Sequence, residues 1–184
     1  MPGPIAIGDE APNFDLTSTE GAVLMLRDEV IRTAVVLYLF TDHEGERVRR
    51  DLAALAAGRE RLARLKARVL AAAPAPIARL AELQKALDLR FPLLSDDRSF
   101  CRLYGVEPGE EGKPGAPALA VVDRRQQVRF LANPVTAVEA ALPEVEKILS
   151  GLPSPTAGYP RAVLNRCVEW WINALRRGRR ASPA

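Results

Sequence analysis

The run TAVVLYLF at 33–40 constrains the fold more than any other segment. It is apolar throughout and rich in β-branched residues, so it reads as a strand covered on both faces. Such a strand needs other layers on each side, which points to an α/β architecture. The next stretch fits: FTDHEGERVRRDL at 40–52 opens as a polar loop. From Glu46 to about Lys66 the apolar residues Val48, Leu52, Leu55, Leu62 and Leu65 then recur at helical spacing. Many α/β proteins keep a reactive group at a junction of strand, polar loop and amphipathic helix, yet this loop holds neither cysteine nor serine.

The remaining segments extend the pattern. FDLTSTEGAVLMLRD alternates around Glu20-Gly21 and predicts a β-hairpin. ARVLAAA is a second buried strand, ended by the Pro residues of PAP, and IARLAELQKALDL is a second helix. FPLLSD, a helical turn over Phe100 to Tyr104 and a capping Gly105 come next. EPGEEGKPGAP is a loop by composition. ALAVVDRRQQVRFL reads as two strands turning at Asp123 to Gln126, and AVEAALPEVEKILSGL as a closing helix. The expected fold is a mixed sheet with helices on both faces, occupying residues 1–152.

Composition removes several function classes. The chain has 184 residues, 22 Arg and 4 Lys, and a formal charge of +3, of which residues 161–184 carry +5. The body is therefore close to neutral and offers no basic footprint for nucleic acid. Two cysteines, Cys101 and Cys167, form no CxxC or zinc pattern. Neither a signal sequence nor a membrane-length apolar run occurs, and a soluble cytoplasmic protein without cofactor or metal is expected.

Three motifs carry a family resemblance. GDEAPNFDL at 8–16 resembles the GDxAPxFxL opening of peroxiredoxins of the alkyl hydroperoxide reductase and thiol-specific antioxidant (AhpC/TSA) group. FPLLSDDRSFCRLYGV at 91–106 resembles their FPLLSDxxxxxxxxYGV segment, and AVVD at 120–123 their FLID strand end. The resemblance covers roughly residues 5–150 and implies a thioredoxin-like fold. It also implies a PxxxTxxC loop after the central strand, in which a thiolate attacks the peroxide, aided by a helix N-terminus, the Thr hydroxyl and an Arg. Aligned from Phe40, the Pro, Thr and Cys positions fall on Thr41, Gly45 and Val48, and the family Arg falls on Pro117. GAPALAVVD also resembles the GxPTTFLID segment of thioredoxin, which makes Ala116-Pro117 a candidate cis bond against an ordinary trans Pro.

Other residues offer alternative chemistry. Cys101 lies among Phe100, Leu103, Tyr104 and Val106 and is expected to be buried and inert; Arg98 and Arg102 nearby leave open a reactive thiol. Asp42, His43 and Glu44 are adjacent in the loop and cannot easily converge on one ion, so Asp42 or a neighbour is expected to cap the following helix. Glu107, Glu110 and Glu111 read as a solvated loop. Two functions compete: a thioredoxin-fold binding or assembly module that has lost peroxidase activity, and a divergent thiol peroxidase or thiol-disulfide protein using Cys101.

SGLPSPTAGYP reads as a linker, centred on 153–160, to an amphipathic helix over 161–178 and a basic tail, 179–184. Leu164, Cys167, Val168, Trp171 and Leu175 form its apolar stripe, widened by Trp170 and Ile172. That helix packs on its own domain, forms a homodimer, or binds an anionic membrane surface or partner.

Overall fold

The computed structural model describes residues 5–107 and 115–153. Strand β1 (Asp15–Ser18) pairs antiparallel with β2 (Val23–Met25), and Leu16 sits opposite Leu24. Gly21 makes the turn at φ +82°, where a residue without Cβ is unstrained. The hairpin read from the sequence is shorter than expected, because its last residues enter helix α1 (Leu26–Arg32). Leu26 and Val30, one helical turn apart, are both buried, and that burial favours helix over a longer strand.

The chain continues through β3 (Ala34–Leu39), α2 (Glu46–Arg64), β4 (Ala67–Ala73), α3 (Ile77–Ala86), β5 (Leu93–Ser95) and α4 (Ser99–Leu103). It then forms β6 (Ala118–Val122), β7 (Val128–Ala132) and α5 (Val138–Gly151). The strands make one sheet in the order β2-β1-β5-β4-β3-β6-β7, parallel across β3, β4 and β5 and antiparallel elsewhere. Every residue of β3 is buried, as its composition requires of a central strand.

Alternation along β3 divides the core. Val35, Leu37 and Leu39 point into a cluster with Leu26 and Val30 of α1, Phe100 and Cys101 of α4, and Ala72 of β4. On the other face the Tyr38 hydroxyl reaches Asp51 of α2, and α2 packs against α5. The sheet therefore has helices on both faces, and it separates Cys101 from α2.

Two helices end earlier than their patterns suggest: α2 at Arg64 rather than Lys66, and α3 at Ala86 rather than Leu89. Lys66 and Asp88, with φ of +59° and +47°, turn the chain out of the helical path. Gly105 caps α4 as expected. Its φ is +70°, its N–H donates to the Arg102 carbonyl at 2.9 Å, and the Val106 N–H donates to Cys101 at 3.0 Å, together a Schellman turn. The turn at 123–126 also forms, with Gln126 N–H donating to the Asp123 carbonyl at 3.0 Å.

The helix expected over 161–178, with Leu164, Cys167, Val168, Trp171 and Leu175, lies outside the described residues, as do the basic tail 179–184, the linker beyond its first residue, and Glu110 and Glu111. Among the described residues no helix is long and apolar enough to cross a membrane.

Candidate functional site

The site is built at the C-terminal end of β3. Antiparallel pairing of Leu39 with Ala118 brings the residues beyond them together, Thr41 on one side and Gly115 to Pro117 on the other. A Cβ added at Gly115 would lie 2.5 Å from Thr41 Oγ1 and would collide with the Glu107 carbonyl, so the strands approach as closely as a glycine allows. The Pro117 carbonyl accepts a hydrogen bond from Val135 N–H at 2.9 Å. The sequence expectation of a cis bond at Ala116-Pro117 is corrected: the cis peptide among the described residues is Asn133-Pro134. Isomer preference at X–Pro is weak, and tertiary context decides it.

The loop is closed by its own side chains. Asp42 Oδ1 accepts the Gly45 N–H at 2.9 Å, while Gly45 is the N-cap residue of α2, which has no side-chain cap. Asp42 thus braces the turn before the helix rather than capping the helix. Any Cβ at Gly45 would collide with the Asp42 carboxylate, so the position aligned with a threonine admits no side chain while Asp42 holds this pose. Val48 follows in the first turn of α2 and is 3% exposed, on the same apolar face as Leu52 and Leu55. The Thr41 hydroxyl is buried and has no hydrogen-bond partner among the described residues.

Around this loop runs a network centred on Asp51, which is buried in α2. Its carboxylate accepts the Tyr38 hydroxyl at 2.8 Å and the Val138 N–H at the start of α5 at 3.1 Å. Arg47 Nε lies 3.9 Å from it. The Arg47 guanidinium also donates to the carbonyl of Val135 and, at 3.2 Å, to that of Thr136. Burial, and next the Asp51 charge, raise the Tyr38 hydroxyl above the ordinary tyrosine range and keep it a donor. Arg47 therefore ties α2 to the β7–α5 connection. Sequence reasoning missed Asp51. The available signal was its place in the stripe Val48, Leu52, Leu55, where a carboxylate needs buried partners.

Cys101 is 1% exposed, on the opposite face of the sheet. Its thiol is pushed well above the ordinary value by burial and then by Asp96, whose carboxylate accepts the Cys101 N–H at 2.9 Å. Sγ faces the Ala72 carbonyl at 4.0 Å. A thiol held protonated in this way is a poor nucleophile. His43 Nε2 and Glu44 Oε1 are 3.9 Å apart, and among the described residues no three His, Cys, Asp or Glu side chains gather as metal ligands.

A model of the AhpC/TSA family matches residues 7–131. Similar solved structures include peroxidoxin BcpB from Mycobacterium tuberculosis, 20% identical over 80% of this chain and 98% of that one, with a TM-score of 0.73. The bacterioferritin comigratory protein of Xanthomonas campestris is 18% identical over 74% and 89%, with a TM-score of 0.65. Mycobacterium bovis AhpC is 17% identical over 86% and 100%, with a TM-score of 0.68. Identities this low establish a shared fold, the thioredoxin-like arrangement of peroxiredoxins. Among curated proteins none matches significantly in sequence.

Proposed function

The chain belongs to the AhpC/TSA family, and we propose that it is a member whose peroxide site has been converted into structure, leaving a module that binds or assembles. The observation that carries this reading is Val48. At the position aligned with the peroxide-attacking cysteine stands a buried aliphatic side chain that completes the apolar face of α2. Gly45 and Pro117 stand where the family's threonine and arginine would be, and Thr41 where its proline would be. Peroxide reduction by a thiol needs an accessible thiolate beside donors that stabilise the departing oxygen. Cys101 is buried and protonated on the far side of the sheet, which argues against its use as a substitute.

Assembly through the 161–178 stripe of Leu164, Cys167, Val168, Trp171 and Leu175 belongs to the same proposal and rests on its apolar width. The chemical half is tested by native-state labelling. Folded protein is treated with hydrogen peroxide and then with a thiol reagent, and each cysteine is read by mass spectrometry. Cys101 is expected to react only after denaturation. Oxidation of Cys101 in the folded protein within seconds would replace this reading with that of a divergent thiol peroxidase.

A further inference from the structure

We propose that a cavity at the opposite end of the sheet is a binding site for a phosphoryl anion, either inorganic phosphate or a phosphomonoester. It lies where the parallel strands β3 and β4 begin, has a volume of about 380 Å³, and is lined by Thr33, Arg59, Lys66, Arg68, Arg90 and Glu20. The size falls within the range of small-molecule sites. The six residues of β3 separate it by about 20 Å from the Thr41 loop, so it is independent of the family site.

Charge is the first argument. Arg68 is neutralised by Glu29 at 2.6 Å. Arg59 from α2, Lys66 from the α2–β4 turn and Arg90 from the α3–β5 loop have no ion pair among the described residues, and Glu20 is the one acid lining the cavity. Three cations against one carboxylate leave two uncompensated positive charges, which matches a phosphoryl dianion better than a carboxylate. Like charges drawn together from three elements repel until an anion joins them. Guanidinium groups present paired donors suited to phosphoryl oxygens, and the lysine adds a point charge.

Two further features point the same way. The Thr33 hydroxyl is buried and lacks a hydrogen-bond partner among the described residues, an unmet donor of the kind a ligand oxygen satisfies. Lys66 is fixed in the left-handed region at φ +59°, its N–H bonded to the Ala63 carbonyl and its own carbonyl accepting Ala34 N–H, each at 3.0 Å. A non-glycine residue there is uncommon, and this one lines the cavity. Phe91 and Pro92, both buried, add an apolar wall that could adjoin the carbon skeleton of a phosphomonoester.

The test is titration of the full chain with inorganic phosphate and with glycerol 3-phosphate at constant ionic strength, followed by calorimetry and amide chemical shifts. Wild type is expected to bind saturably, with shifts at Thr33, Lys66 and Ala67. Arg59→Gln/Arg90→Gln is expected to weaken binding at least about tenfold, and Arg27→Gln/Arg79→Gln, at exposed arginines elsewhere, to leave it unchanged. Tighter binding of the ester than of phosphate assigns the apolar wall to the ligand skeleton, and equal affinity assigns recognition to the phosphoryl group alone. Lys66→Gln, at an exposed position, gives the same reading where the double variant does not fold. No saturable response to either anion, or equal affinity in wild type and the cavity variants, overturns the proposal.

Discussion

Replacing Asp51 by alanine tests whether the network beside the Thr41–Gly45 loop is structural. In the wild type its carboxylate is the acceptor for a buried tyrosine hydroxyl at 2.8 Å and for the Val138 N–H at 3.1 Å. Asp51→Ala leaves both donors buried without partners, at about 1–3 kcal/mol each. The Arg47 contact, at 3.9 Å with a partly exposed guanidinium, adds at most about 1 kcal/mol. A loss of about 4 kcal/mol follows, which lowers the melting temperature of a domain this size by roughly 8–16 °C. Urea unfolding followed by far-UV circular dichroism measures it. Tyr38→Phe supplies the second arm: alone it costs about 1 kcal/mol, but in the Asp51→Ala background it removes an orphaned hydroxyl and costs nothing. A loss below about 1 kcal/mol for Asp51→Ala, with Tyr38→Phe costing the same in both backgrounds, would refute the reasoning.

Three further outcomes are expected. Burial raises the pKa values of Cys101, Tyr38 and Tyr104 above their ordinary values of 9.0, 10.0 and 10.0. The folded state therefore holds protons that the unfolded chain loses, and stability present below those values falls as pH rises above 9 and more steeply above 10. Each group contributes a slope of about 1.4 kcal/mol per pH unit, and Tyr104→Phe should flatten the decline in denaturation midpoint. Gly105→Ala should cost about 1–3 kcal/mol by thermal melting, because it places a Cβ at φ +70° and 2.5 Å from Asn133 Nδ2, the atom that donates to the Tyr104 carbonyl. Truncation after Leu152 should convert a dimer to a monomer by light scattering; a full-length monomer counts against assembly through the 161–178 helix.

The sequence revealed most where one physical constraint dominated. Residues 33–40 carry the composition of a central strand, Gly105 marks its cap by lacking a Cβ, and the spacing of Val48 with Leu52 and Leu55 marks the apolar face of α2. It was less informative where tertiary contacts decide. The run FDLTSTEGAVLMLRD reads as hairpin to its end, yet its last residues, from Leu26 on, become helix because Leu26 and Val30 find the core as an i,i+4 pair. The role of Asp51 was not legible in the sequence, since it depends on Tyr38 and Val138, 13 residues before it and 87 after. The cavity of Thr33, Arg59, Lys66 and Arg90 was invisible for the same reason: its cations come from separate elements and adjoin only once β3 and β4 are paired.

The central claim is that this family member no longer turns over peroxide, and steady-state peroxide consumption with a thiol reductant tests it most directly. Wild type, Cys101→Ser and a variant lacking both cysteines are compared with hydrogen peroxide and with an alkyl hydroperoxide. The account predicts the same rate for all three, equal to that of the reductant alone. Catalytic turnover by the wild type that disappears in Cys101→Ser would contradict it.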